Sequence, residues 1–289
     1  MKVTVFGATG VVGEALVPLL DEHEVTAVSR SPRADERTRW VVADAATGEG
    51  VTEALAGAEV VYYLVHSLGS RDFEEQDRVA SETIASEAAS AGVRQIVYLG
   101  GLGADDPDAS PHLRSRRETG ERLGSAGVPV TTLRAAMIVG KGSAAFETIL
   151  GLVKRLPVMI TPRWVSTPTQ PIALDDVARY LAGVCGNEAT FAEGFDVGGP
   201  EVMTYRQMIE RIARLLGRKP MIVEVAVLTP YLSSLWLNLV TPVNASVARP
   251  LVEGLRNPTV AREERIRTLL PFGLTPFDEA ARQALPASG

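Results

Sequence analysis

The chain has one cysteine in 289 residues, Cys185. That excludes an internal disulfide framework and a cysteine-ligated metal cluster. Cys185 follows the helical pattern Tyr180–Val184 and is expected as a buried or half-buried helix residue with no metal partner. No stretch of eighteen apolar residues occurs; the nearest, Leu235-Trp236-Leu237-Asn238-Leu239-Val240, is far too short to span a bilayer, so no integral membrane segment is expected. No basic run is present either. The arginines at 30–39 and 114–122 alternate with acids and the net charge is −6, which argues against a nucleic-acid partner. An apolar strand pattern starts at residue 2, leaving no room for a signal peptide ahead of it, and the expected setting is cytoplasmic. Internal repeats and low-complexity tracts are lacking. With 46% hydrophobic and 22% charged residues, the composition is that of a globular protein long enough for one large α/β domain and a smaller lobe.

What is present is concentrated at the start. Lys2-Val3-Thr4-Val5-Phe6 reads as a short strand and runs into Gly7-Ala8-Thr9-Gly10-Val11-Val12-Gly13. A helical pattern, Glu14 to Leu20, follows, then a second strand, Val25–Val28. Strand, glycine-rich turn, helix and strand make a βαβ unit of the kind that binds dinucleotides. Gly7 permits the tight turn, Gly10 lets a pyrophosphate approach the backbone, and Gly13 lets helix and strand pack closely. The free N–H groups at the helix start carry roughly half a positive charge toward the phosphates.

The end of the second strand is where nicotinamide cofactors are told apart. An acid there bonds the adenosine ribose and repels a 2′-phosphate. Here the chain reads Val28-Ser29-Arg30-Ser31-Pro32-Arg33, neutral and then basic, which favours NADP(H) over NAD(H), with Ser29, Arg30 and Arg33 as the phosphate ligands. Trp40–Asp44 is expected as the third strand and Val60–Val65 as the fourth. The carboxyl end of a parallel strand faces the ligand crevice, so Leu64, Val65, His66 and Ser67 are expected beside the cofactor. A helix over Phe73–Ala91 carries Asp77, Ala80, Ile84 and Ala88 on one face. Then come a fifth strand, Gln95–Leu99, with Gly100-Gly101 after it, a helix over His112–Leu123, and a sixth strand from Val130 to Arg134 continuing to Val139. Tyr63 and Tyr98 are expected in the core with their hydroxyls reaching partners.

Beyond Gly140 the alternation weakens. Ala144–Arg155 is an apolar helix, Pro157–Pro171 a proline-dotted connection, Ile172–Ala178 the start of a helix with Asp175 and Asp176 in its first turn, Phe195–Gly199 a seventh strand and turn, and Thr204–Gly217 an amphipathic helix. Val223–Val227 is a strand candidate, and short helices broken by Pro230, Pro242, Pro250 and Pro258 complete the chain. The expected architecture is α/β: a doubly wound (Rossmann), mostly parallel sheet over 1–140 and 166–200, and a smaller C-terminal α/β substrate lobe over 141–165 and 201–289. Met159, Trp164, Met203, Leu232, Trp236 and Leu239 make that lobe apolar, which suits a hydrophobic small-molecule substrate, the lobe's own core or a homodimer contact.

Gly7-Ala8-Thr9-Gly10, Val97-Tyr98-Leu99-Gly100-Gly101-Leu102-Gly103, Gly127-Val128-Pro129-Val130 with Leu133-Arg134, Asp176-Val177-Ala178 and Val197-Gly198-Gly199-Pro200 resemble the signposts of extended and atypical short-chain dehydrogenase/reductases. The resemblance is strongest to the NmrA-like and complex-I-accessory-subunit-like NAD(P)H-binding group. It implies that Asp44 and Ala45 flank the adenine. Ordinary members use a Ser after the fifth strand and a Tyr-x-x-x-Lys pair on the next helix. Here the serine place falls on Gly100 or Gly101, and His112 and Arg116 stand where the Tyr and Lys would be. The usual proton relay is therefore missing. Arg116 can hold ribose hydroxyls but stays protonated, leaving His66 and His112 as candidate acids. Three functions fit: an NADPH-dependent oxidoreductase with a non-standard proton donor, a redox-sensing regulatory or assembly protein that binds NAD(P)H without catalysis, and an epimerase-type enzyme.

Overall fold

The computed structural model describes residues 1–35, 38–66, 72–104, 106, 109–225 and 257–285. Leu232, Trp236 and Leu239, the proline-broken stretch around them and Ser67 lie outside the described residues. Seven parallel strands form the central sheet. The first six are β1 (Lys2–Phe6), β2 (Glu24–Ser29), β3 (Arg39–Val42), β4 (Val60–Tyr63), β5 (Gln95–Gly101) and β6 (Val130–Ala135). Three small pairs lie outside it: β7 (Ile138–Val139) with β10 (Ile172–Ala173), β8 (Val158–Pro162) with β13 (Met221–Val225), and β9 (Pro168–Thr169) with β12 (Met203–Thr204). The last sheet strand, β11 (Gly194–Val197), pairs with β6, giving the order β11-β6-β5-β4-β1-β2-β3. The fold is the doubly wound α/β architecture expected.

Side chains alternate between two cores because successive strand residues point to opposite faces, and a parallel sheet is covered on both. Val3, Val5, Ala27, Tyr62 and Val97 pack beneath α1 (Val11–Leu16) and α6 (Leu174–Gly183). Phe6, Val28, Val61, Tyr63 and Tyr98 pack beneath α2 (Val51–Ala54) and α3 (Phe73–Ser90). A third core joins Met137 and Val139 to α5 (Ala144–Arg155), α7 (Tyr205–Leu215) and α9 (Phe277–Ala284), with α8 (Arg265–Leu269) set against β11. Arg211 on α7 donates to Glu201 and, at 2.7 Å, to Asp278 on α9, fastening the two helices. Asp176 lies in the first turn of α6, as expected, and is buried there, accepting from Thr275 N–H at 2.7 Å and its hydroxyl at 3.1 Å.

Local departures have local causes. The first helix is α-helical only over Val11–Leu16 and tightens to a 3-10 turn over Val17–Leu20, because Pro18 cannot donate into the i−4 ladder. The strand expected through Val139 breaks after Ala135, and Ile138–Val139 turns away to pair with Ile172–Ala173, a strand where a helix start was expected. The 157–171 connection contains β8, a 3-10 turn and β9. Cys185 is half-buried, as expected, but lies just past α6.

β1 lies between β4 and β2. The chain winds outward one way through β2 and β3, then the other way through β4, β5, β6 and β11. The carboxyl ends of β1 and β4 are thus the topological switch point, where such sheets bind ligands. Close packing there depends on Gly13, where an added Cβ would lie 2.2 Å from the Gly7 carbonyl oxygen and 2.7 Å from Ala8 Cα. Both are backbone atoms that cannot swing aside. Gly13→Ala should therefore destabilise the fold by about 1–3 kcal/mol, seen as a lowered midpoint in thermal unfolding by circular dichroism; an unchanged midpoint would contradict this packing.

Candidate functional site

The turn after β1 meets each glycine requirement differently. Gly7 has φ +85°, and a Cβ there would lie 2.8 Å from the Leu64 carbonyl carbon, so the turn passes directly against the end of β4. Gly10 N–H donates to the Gly7 carbonyl at 3.0 Å, and the Gly10 carbonyl accepts Glu14 N–H at 2.8 Å, opening α1. A Cβ added at Gly10 would meet only the Gly7 oxygen, at 3.3 Å. The protein leaves the space over Gly10 open, which is what a pyrophosphate approaching the backbone requires. Ala8 is buried; Thr9, Val11 and Val12 are half-buried around the turn.

On one flank of the turn, a surface groove runs between Ala8, Glu14, Arg33, Asp35 and Trp40. The Arg33 guanidinium sits 5.7 Å from the Trp40 ring centroid. Asp35 accepts from Trp40 Nε1 at 2.6 Å and Thr38 N–H at 2.7 Å. Ser29, at the end of β2, accepts from Ser31 N–H at 3.2 Å, and Arg30 beside it is exposed. Asp44 turns its Oδ1 onto Ala46 N–H at 2.8 Å, and Ala45 is buried next to it.

On the other flank lies a cleft of about 380 Å³. Val12, Leu64, His66, Gly100, His112 and Arg116 form its floor. Met137, Ile149, Leu152, Trp164, Tyr205 and Ile209, from the third core, form its walls. Val12, Leu64, His66, Gly100, His112 and Arg116, all expected site residues, thus meet at this cleft, with the rest of the Gly7–Gly13 turn beside it. Ser29, Arg30, Arg33, Asp44 and Ala45 lie apart, toward the outer strands. Val65 packs into the core beneath α3.

Asp77, a residue outside the expected set, organises the polar end of the cleft. It sits on α3 and is almost fully buried, its side chain 4% exposed. Its Oδ2 lies 2.9 Å from His66 Nδ1, and His66 Nε2 lies 3.3 Å from His112 Nδ1. The rings lie 4.9 Å apart, inclined at 31°. His112 is on the first turn of α4 (Pro111–Leu123), which Ser110 caps by accepting Leu113 N–H at 3.3 Å. Burial, helped by the Arg116 charge, lowers the His66 pKa against the pull of Asp77. Burial, His66 and Arg116 hold His112 down at about 3. Both shifts favour the neutral rings. The one signal for Asp77 in the sequence is an acid sharing a helix face with Ala80, Ile84 and Ala88.

Arg116 lies under the end of β5. It donates to the Leu99 carbonyl, its guanidinium is 5.0 Å from the Tyr98 ring centroid, and its own carbonyl accepts the Tyr98 hydroxyl at 2.9 Å. Tyr98 thus has the partner expected. Tyr63 does not: among the described residues its buried hydroxyl has no hydrogen-bond partner. The described residues contain no group of three or more His, Cys, Asp or Glu placed to hold a metal ion and no helix long and apolar enough to cross a membrane.

A parallel sheet with a glycine cradle at its switch point, beside an apolar cleft, is the arrangement of a dinucleotide-binding protein. Residues 7–144 match the family described as NAD(P)H-binding. The chain is 30% identical over 224 residues to the (4-alkanoyl-5-oxo-2,5-dihydrofuran-3-yl)methyl phosphate reductase of Streptomyces griseus, covering 75% of this chain and 74% of that one. It is 24% identical over 234 residues to the mitochondrial NADH-ubiquinone oxidoreductase 40 kDa subunit of Neurospora crassa, covering 75% of this chain and 60% of that one. The fold superposes on the triphenylmethane reductase of Citrobacter sp. complexed with NADP(H), with a TM-score of 0.79 at 18% identity, covering 99% of this chain and 100% of that one. The chain belongs to the NAD(P)H-binding, NmrA-like group of atypical short-chain dehydrogenase/reductases.

The open space at Gly10 separates ligand binding from folding. Gly10→Val should abolish NAD(P)H binding in a fluorescence titration while leaving the circular dichroism spectrum unchanged; retained binding would show that the cradle is not the site.

Proposed function

We propose that the protein is an NADPH-dependent oxidoreductase acting on a hydrophobic, conjugated small molecule. The observation that carries this reading is the apolar cleft at the switch point, which Val12 of the glycine turn lines together with Leu64, His66, Gly100 and Arg116. In this reading Gly7 to Gly13 hold the pyrophosphate. Ser29, Arg30 and Arg33 hold the 2′-phosphate, Asp44 and Ala45 flank the adenine, and Leu64 and Gly100 border the nicotinamide end. Arg116 is a fixed cation for the ribose hydroxyls. The bound cofactor supplies a hydride, which leaves the reduced substrate needing one proton.

The substrate occupies the lobe side of the cleft, against Met137, Ile149, Trp164 and Ile209. Burying such walls against an apolar ligand gains about 25 cal/mol per Å² and excludes water from the reacting atoms. A sugar nucleotide would leave its hydroxyls unpaired against these walls, which weighs against the epimerase reading. The names of the Streptomyces griseus and Citrobacter relatives, both reductases, point the same way. A pure sensor has no need of an apolar cleft beside its nucleotide.

The test is NADPH oxidation across a panel of quinones, triarylmethane dyes and alkyl-substituted enones. Turnover of at least one class is expected; a silent panel would count against the reading. With an active substrate, the double change of His66→Ala and His112→Ala should cut turnover by about 10²–10⁴-fold with NADPH still bound; undiminished turnover would assign the proton to water. For cofactor choice, a lost charge-assisted bond costs about 1.5–3 kcal/mol. Arg30→Ala should therefore weaken NADPH binding about tenfold or more and leave NADH unchanged, and equal affinity of the parent protein for both would contradict the assignment.

A further inference from the structure

We propose that Asp77, His66 and His112 work as one proton-carrying unit, in which a proton held on the buried Asp77 carboxyl emerges on Nε2 of His112 in the cleft. The unit spans two helices and the end of a strand: α3 supplies Asp77, the residues after β4 supply His66, and α4 supplies His112. The contacts at 2.9 and 3.3 Å leave Nε2 of His112 as the ring nitrogen not engaged by the relay. Asp77 touches neither cofactor nor substrate on this account. It is a positioning and proton-storing residue that acts through the two rings.

The proton count follows from the tautomers. With Asp77 ionised, Nδ1–H of His66 donates to the carboxylate, Nδ1–H of His112 donates to Nε2 of His66, and Nε2 of His112 carries a lone pair. In that state His112 is a base and cannot supply a proton. Adding one proton makes all three groups neutral. Asp77 O–H then donates to Nδ1 of His66, Nε2–H of His66 donates to Nδ1 of His112, and Nε2–H of His112 is the outward donor. Delivery reverses this: Nε2–H breaks, the substrate anion takes that proton, and each ring passes one proton along while Asp77 becomes a carboxylate. Solvent later returns one proton to Nε2. No imidazolium forms at any stage.

The surroundings favour this route over a charged histidine. Arg116, beside both rings, disfavours imidazolium on either. Among the described residues, the other ionisable groups coupled to the unit are Tyr63 and Tyr98, on neighbouring strands, and Asp44 beyond Tyr63. Burial raises both phenols, which stay neutral over the working range. With both rings buried and Arg116 disfavouring a charge on either, the buried carboxyl is the member of the unit that takes the extra proton as a neutral acid. The three groups titrate together, so the ionisation belongs to the unit and not to one residue.

Only the final transfer to substrate rests on the oxidoreductase reading; the coupled tautomer shift is a property of the protein alone. It is read from the cofactor-free full chain labelled with ¹⁵N-histidine, using long-range ¹H–¹⁵N correlations from pH 5 to 9, with His23 as the reference signal. The expected result is that His66 and His112 change together, at one midpoint, from Nε2–H at low pH to Nδ1–H at high pH. Asp77→Asn should abolish the joint change. With an active substrate, it should also lower kcat on the order of 10²-fold, flatten the pH–rate profile and leave KM for NADPH unaltered. Separate conversion of either ring to imidazolium, or a single tautomer for either ring throughout, would overturn the proposal. If Asp77→Asn does not fold, the titration of the parent protein decides alone. A joint tautomer change with no turnover of any substrate would uphold the unit and count against the oxidoreductase reading.

Discussion

The close approach of two backbones at the sheet's switch point is the constraint on which the rest depends. Gly7 lies so near the end of β4 that no Cβ fits, and Gly13 lies so near Gly7 that none fits there either. The turn is pressed against Leu64, two residues before His66, and both Leu64 and His66 line the cleft. Val12, from the turn, and Leu64, from the end of β4, both line the apolar cleft.

A second constraint is electrostatic. An acid and two histidines are held in a poorly solvated corner with Arg116 close by, and burial is the first cause of the depressed histidine pKa values. Buried charges are tolerated only when paired and hydrogen-bonded. The Asp77–His66 contact and the Arg116–Leu99 contact meet that demand without a standard tyrosine–lysine pair. Elsewhere the fold handles buried polar groups in the same way. Gln95 donates to Thr131 at 2.8 Å and to the Val184 carbonyl at 2.9 Å, and Asp196 accepts Arg134 at 2.7 Å and Arg262 N–H at 2.8 Å.

Much of the sheet was legible because strand, glycine and helix signals are local. The strands from Lys2 to Leu133 and the helices after Asp72 and Ser110 lie where periodicity put them. The exceptions are set by tertiary contact: Ile172–Ala173 is a strand only because Ile138–Val139 is there to pair with it. At the site, the cradle and the convergence of His66, His112 and Arg116 could be read from strand ends and from the displaced Tyr-x-x-x-Lys pattern. Asp77 could not, because one acid on an apolar helix face does not say what it meets across 11 positions of chain. The apolar cleft was legible only in part: Trp164 belonged to the apolar lobe read from the sequence, whereas Met137 and Ile209 join it through the third core.

The central claim is that one cofactor, laid over the Gly7–Gly13 turn, must place its reactive end in the cleft beside His112. A crystal structure with NADP⁺ bound tests it most directly. The account predicts the pyrophosphate over Gly10, the 2′-phosphate near Arg30 and Arg33, and the nicotinamide ring in the cleft facing His112 and Arg116. A dinucleotide bound with its nicotinamide outside that cleft would contradict it.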